Sequence, residues 1–132
     1  MPGKDEGALK TEMEWKTIAG KEYLYFKFGV FLLASHAKEM TAQWKTELEK
    51  NPGRKVSIIW DCLEMKDYDN QARVVWQQAI NETKDRIDAM WVITNNIFIN
   101  IGANIIGAID GVRINAVRGM DEIARKSEAD NK

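Results

Sequence analysis

Two continuous apolar runs dominate the pattern of the chain. Val56 to Asp61 reads Val, Ser, Ile, Ile, Trp before its first carboxylate, and Ala89 to Thr94 reads Ala, Met, Trp, Val, Ile before a threonine. A short apolar run bounded by turn signals reads as a strand covered on both faces, as in a parallel sheet under helices. A different period opens the chain. Met13, Trp15 and Thr17 alternate with Glu12, Glu14 and Lys16, the two-residue period of a strand with one wet face. Ala19-Gly20-Lys21 breaks that run, and the aromatic stretch Tyr23 to Phe28 resumes it as a second strand. The two are expected to pair as a hairpin with Gly20 in the turn.

Helical spacing follows. Beyond Gly29, apolar residues recur at Ala37, Met40, Thr41, Trp44 and Leu48, one stripe of a helix. Ser35 is its expected N-cap, and Asn51-Pro52-Gly53 its stop. Ala72, Val75, Trp76, Ala79, Ile80, Thr83 and Ile87 make the cleanest amphipathic stripe, entered from Asp69 or Asn70. A third helix is predicted over Ile97 to Ile109, ended by Gly111. A last strand follows over Arg113 to Val117, then a short helix over Met120 to Ser127. Asp121 and Glu122 in the first turn of that helix, with Arg125 and Lys126 near its end, suit the helix dipole.

The order β-β-α-β-α-β-α-β-α predicts an α/β fold: a mixed, mostly parallel sheet of about five strands with an N-terminal β-hairpin and helices on both faces. One domain is expected over residues 12–127. A disordered tail is expected over residues 1–11 and a solvated one over 128–132.

Composition removes several classes. The chain has 132 residues, with 19 basic and 20 acidic side chains and a net charge of −1. A nucleic-acid binder shows a basic excess or stripe; there is none, so no nucleic-acid partner is expected. The single Cys62 and single His36 cannot make a common zinc site. A lone cysteine fits a reducing compartment, and the N-terminal residues have no apolar core of a signal peptide, so a cytoplasmic protein is expected. Ala89 to Ile109 holds no charge and is long enough to cross a bilayer by count. It also holds Thr94, Asn95, Asn96, Asn100 and Asn104, and each amide would need a partner in hydrocarbon. It is read as strand, turn and buried helix, with no transmembrane segment.

Three places resemble the STAS domain, the sulfate-transporter and anti-sigma-factor-antagonist fold, and the small bacterial proteins grouped as STAS-like or Sec14-like. Tyr25-Phe26-Lys27-Phe28-Gly29 stands where that family has a strand and a glycine before its first helix. Val56-Ser57-Ile58-Ile59-Trp60-Asp61 stands at the apolar strand ending in Asp. Asp67-Tyr68-Asp69-Asn70 stands at the loop into the second helix. Anti-sigma-factor antagonists carry a phosphorylatable serine at the start of that helix. Asp67 to Gln71 contains neither Ser nor Thr, so the kinase-driven switch does not carry over. The resemblance implies a small partner-binding module, or, in the Sec14-like branch, a carrier of an apolar ligand.

The candidate chemistry is sparse. Ligands of open α/β sheets sit beyond the C-terminal ends of the strands, where Asp61, Asn95 and Arg118 could meet. The competing reading is that Asp61 only accepts loop N–H groups. A phosphoacceptor receiver would need an acidic pair after its first strand to hold Mg²⁺, and Phe28-Gly29 stands there instead. Asp61, Glu64, Asp67 and Asp69 form an acidic group with no partner for acid–base work, more in keeping with a solvated loop. Cys62 has no cationic neighbour to favour a thiolate. The third helix carries Asn96, Asn100 and Asn104 at spacings of four, with Gly107 and Gly111 near the same stripe and isoleucines opposite. An uncharged amide and glycine face suits a homodimer or partner contact; a helix tucked under the C-terminal segment is the other reading.

The expected function is therefore a non-catalytic regulatory or protein-interaction module, self-associating as a homodimer or docking to a signalling partner. Asp61, Asp67, Tyr68, Asp69, Asn95, Asn96, Asn100 and Asn104 are its candidate partner-binding residues. No cofactor, metal or catalytic residue is expected. The alternative, a carrier of an apolar small molecule or lipid, calls for an internal pocket lined by Phe31, Leu32, Trp44 and Trp76.

Overall fold

The computed structural model describes residues 12–130, without the side chains of 109–110 and 127–130. The expected N-terminal tail, 1–11, lies outside the described residues.

β1 (Glu12–Ile18) and β2 (Lys21–Lys27) form the hairpin, paired from Glu12↔Lys27 to Ile18↔Lys21. Ala19 and Gly20 both have positive φ, 52° and 80°, which is the type I′ turn that matches the twist of two strands. After a two-residue β3 (Phe31–Leu32), helix α1 (Ala34–Lys50) leads to β4 (Val56–Asp61). A second short strand, β5 (Asp67–Tyr68), precedes α2 (Asn70–Thr83). A 3₁₀ turn (Lys84–Arg86) then opens into β6 (Ile87–Ile93), α3 (Ile97–Asp110), β7 (Ile114–Val117) and α4 (Met120–Asp130).

The five long strands lie in the order β1-β2-β4-β6-β7. Only β1 runs antiparallel to its neighbour; β2-β4, β4-β6 and β6-β7 are parallel. The two apolar runs are the neighbours at the centre, with Ile58 beside Met90 and Trp60 beside Val92. Every residue of β4 is buried. Alternation then divides the side chains between two faces. Leu24, Phe26, Ile58, Trp60, Met90 and Val92 point to the face covered by α1, α2 and α3. Tyr23, Tyr25, Ile59, Trp91, Ile93 and Val117 point to the other, where Ile123 of α4 packs.

All five apolar positions expected of α1 are buried. Its cap differs: Leu33 is the N-cap residue and Ser35 lies inside the first turn. The Ala34 N–H instead donates to the Asp69 carboxylate at 3.3 Å, so an acceptor from the α2 loop does the work expected of Ser35. Ile87 belongs to β6, not to the α2 stripe, because the 3₁₀ turn resets the period. α4 runs to Asp130 rather than Ser127. Arg125 thus sits mid-helix, 3.6 Å from Asp121 one turn back.

Two parallel strands that the sequence reading missed, β3 and β5, pair Phe31 with Asp67 and Leu32 with Tyr68. They hold the loop after β4 against the loop before α1. No helix among the described residues is long and apolar enough to cross a membrane.

Candidate functional site

At the C-terminal ends of the strands, Asp61 is buried, 8% exposed. It accepts a hydrogen bond from the Tyr25 hydroxyl and one from the Leu63 N–H at 3.2 Å. Among the described residues no hydrogen bond or ion pair links it to Asn95 or Arg118. Tyr25 is the partner that sequence reasoning left out. The register that sets Tyr25 beside Ile59, two residues before Asp61 and on the same face of the sheet, is a product of pairing β2 with β4. Burial first, then the hydrogen bond to Asp61, pushes the Tyr25 hydroxyl well above its ordinary pKa. Burial, and less so the Asp61 charge, does the same to the Cys62 thiol. A thiol held protonated and buried is a core group.

The acidic group is dispersed by its hydrogen bonds. Glu64 lies 3.7 Å from Lys27, Asp67 accepts from the Tyr68 N–H at 2.8 Å, and Asp69 caps α1. No group of three or more His, Cys, Asp or Glu among the described residues could hold a metal ion.

Helix α3 is where geometry and sequence reading part. The sequence leaves two readings open for the amide and glycine stripe, a partner face or a helix tucked under the C-terminal segment; the structure splits the stripe, with Asn104 exposed, Asn100 half-buried and Gly107 buried. Ile99, Gly102, Ala103, Ile106 and Gly107 face inward. A Cβ on Gly102 would fall on the Tyr68 hydroxyl, and one on Gly107 would stand 2.6 Å from the Val112 carbonyl oxygen and 3.1 Å from Ile114. Small residues face inward because that is where the helix lies closest to its neighbours. The outward side carries Phe98 at 75% exposure, Ile97 at 68%, Ile101 at 51% and Ile105 at 41%. The amides serve the helix itself. Asn96 is the N-cap and accepts from the Phe98 N–H at 2.9 Å. Asn104 donates to the Asn100 carbonyl at 2.8 Å and to its side-chain oxygen at 2.6 Å.

A groove of about 440 Å³ runs beside this face, walled by Phe98, Ile101, Ile105, Tyr68 and Lys66. Next to it is a small apolar pocket of about 50 Å³, lined by Phe28, Trp60, Met65 and Trp76 among others. Tyr68, Ile99 and Gly102 border both, so the Tyr68 ring on Gly102 is part of the wall between them. The pocket's aromatic walls touch edge-on: Trp60 meets Trp76 at 5.1 Å and Phe28 at 6.3 Å. Of the four residues expected to line a carrier's pocket, Leu32 and Trp76 border this one. Phe31 and Trp44 do not, and the Trp44 indole N–H is held by Thr83 at 3.0 Å.

No family model matches the chain, and no curated protein matches it. Among solved structures it is similar to an uncharacterized protein of the DUF3478 family from Shewanella loihica PV-4, described as having a SpoIIAA-like fold. The two share 11% identity over 85% of this chain and 89% of the other, with a TM-score of 0.70. The chain thus has the SpoIIAA-like, STAS-like α/β fold that its element order resembles.

Proposed function

We propose that this chain is a non-catalytic interaction module that docks a protein through the outward face of α3. The observation that carries the reading is a nearly filled core beneath a bare apolar helix. The pocket among the core aromatics holds about 50 Å³, far below the roughly 300–1,000 Å³ of a small-molecule pocket; the groove beside α3, about 440 Å³, is within that range but lies at the surface. Four large hydrophobic side chains on one helix, with no charge between Ala89 and Ile109, make the kind of patch that marks a contact site. A reducing, cytoplasmic setting is supported by the free, buried Cys62.

One observation favours the carrier instead. The indole nitrogens of Trp60 and Trp76, both bordering the pocket, are buried without a partner. Each unmet donor costs about 1–3 kcal/mol, and an apolar ligand with one acceptor would relieve it by displacing the Tyr68 wall. Native mass spectrometry of freshly purified protein separates the two. The module reading expects masses that are whole multiples of 15.1 kDa. A small molecule retained in stoichiometric amount would replace it with the carrier.

A further inference from the structure

We propose that the apolar pocket beside α3 takes a short-chain carboxylate from solution, its aliphatic tail among the aromatics and its carboxylate toward Arg73. This goes beyond the docking reading and is independent of it, because Ile97, Phe98, Ile101 and Ile105 do not border the pocket. The polar groups around the pocket set the chemistry of the ligand. No carboxylate and no side-chain amide borders it. The groups that do are donors: the Arg73 guanidinium, the indole N–H of Trp60 and of Trp76, the Tyr68 hydroxyl and the Cys62 thiol. A ligand that meets them offers acceptors.

The strongest of these donors are unmatched. Trp60 and Trp76 are 4% and 2% exposed, and neither indole nitrogen has a hydrogen-bond partner. Arg73 donates to Gln77 at 3.3 Å and belongs to none of the ion pairs among the described residues. The three lie together. Arg73 and Trp76 are three residues apart on α2 and share a helix face, and Trp60 meets Trp76 at 5.1 Å. Buried donors are ordinarily matched, and a guanidinium favours a planar carboxylate, which it holds by two parallel bonds. Arg73 is the only charged residue in the border, so a single negative charge suits it better than the near-double charge of a phosphate ester. Arg73 is half-buried, which keeps the ligand's charge out of the core. Size limits the tail. A water-sized group takes about 10–15 Å³ of such space, so the pocket's 50 Å³ holds a chain of roughly four carbons. Phe28, Met65, Val92 and Ile106 supply its apolar contacts.

The test is titration of the full chain with valerate, read on the indole N–H signals of Trp60 and Trp76 by NMR, each assigned with its Trp→Phe variant. The expected result is a saturable shift of both signals at millimolar valerate. Arg73→Gln is expected to weaken binding about tenfold or more, as loss of a bond to a charged group does, with an unchanged thermal melt showing that the fold is kept. Two ligands make the same comparison on the wild type: pentanol has the tail without the charge, acetate the charge without the tail, and both are expected to bind more weakly. Signals that stay put or shift without saturating overturn the proposal, as does an Arg73→Gln chain that binds valerate like the wild type. Pentanol binding as tightly as valerate overturns the assignment to Arg73, and acetate doing so marks an adventitious anion and overturns the pocket. A ligand held at millimolar strength leaves during purification, so none of these outcomes touches the docking reading.

Discussion

Tyr25 and Asp61 show how one residue's role depends on a neighbour far away in sequence. Asp61 is a buried carboxylate whose oxygens are met by a phenol and a backbone N–H. Removing the phenol with Tyr25→Phe leaves the charge half-satisfied, and the expected cost is about 1–3 kcal/mol in urea unfolding. The same pair sets an alkaline limit. Native Tyr25 and Cys62 hold their protons beyond the ordinary values of 10.0 and 9.0 at which the unfolded chain releases them. The native state therefore binds more protons above those values, and stability falls as pH rises. Below about pH 9 this contribution is fully present. Urea midpoints are expected to be flat with respect to these groups near neutrality and to decline above pH 9. Tyr25→Phe should make the decline shallower; an identical alkaline slope in the variant would remove Tyr25 as a cause. In the sequence, Asp61 is visible as the end of an apolar strand, but its partner is not. Only the register of β2 against β4 brings Tyr25 to it.

At the scale of elements, the strongly periodic stretches are legible and the ambiguous one is not. α1 buries the five positions its spacing names, and β4 and β6 lie where the continuous runs begin and end to within two residues. α3 defeats the same logic because isoleucine and glycine alternate around it. Isoleucines recur all round it and its only polar side chains before Asp110 are Asn100 and Asn104, so periodicity alone does not say which side faces inward. Close approach decides it: Tyr68 and Ile114 occupy the space a side chain would need at Gly102 and Gly107. Two substitutions measure that constraint. Glycine to alanine in a helix gains up to about 1 kcal/mol in propensity, whereas overpacking costs about 1–3 kcal/mol. At Gly107 the obstacle is a backbone carbonyl that cannot move alone, so Gly107→Ala is expected to be net destabilising by about 1–2 kcal/mol. At Gly102 the obstacle is the far end of one tyrosine side chain, so Gly102→Ala is expected to cost less. Equal unfolding midpoints for both variants would contradict this account of why α3 sits as it does. The β3–β5 pair escaped notice for a simpler reason: two residues are too few to show a period.

At the scale of the molecule, the sheet puts its bulk of helices on one face. α1, α2 and α3 share one core cluster, and α4 serves the other. α3 lies at one side of that layer, close to α2 and β7, with its outer side bare. That placement turns the isoleucine side, opposite the amide and glycine face singled out in the sequence, into a surface. Five tryptophans fit the same division: Trp44, Trp60, Trp76 and Trp91 are buried, and Trp15 packs at the edge, donating to Glu47 at 3.3 Å. None of them lies on the outward side of α3, which is isoleucine and phenylalanine. The proposed docking role therefore turns on those few side chains standing bare until a partner covers them. Methyl NMR of Ile97, Ile101 and Ile105 with a soluble paramagnetic agent reads this directly. The expected result is strong broadening of all three in dilute solution, where no partner covers them. Protection of these methyls in the dilute, lone chain would contradict an α3 face left bare for docking.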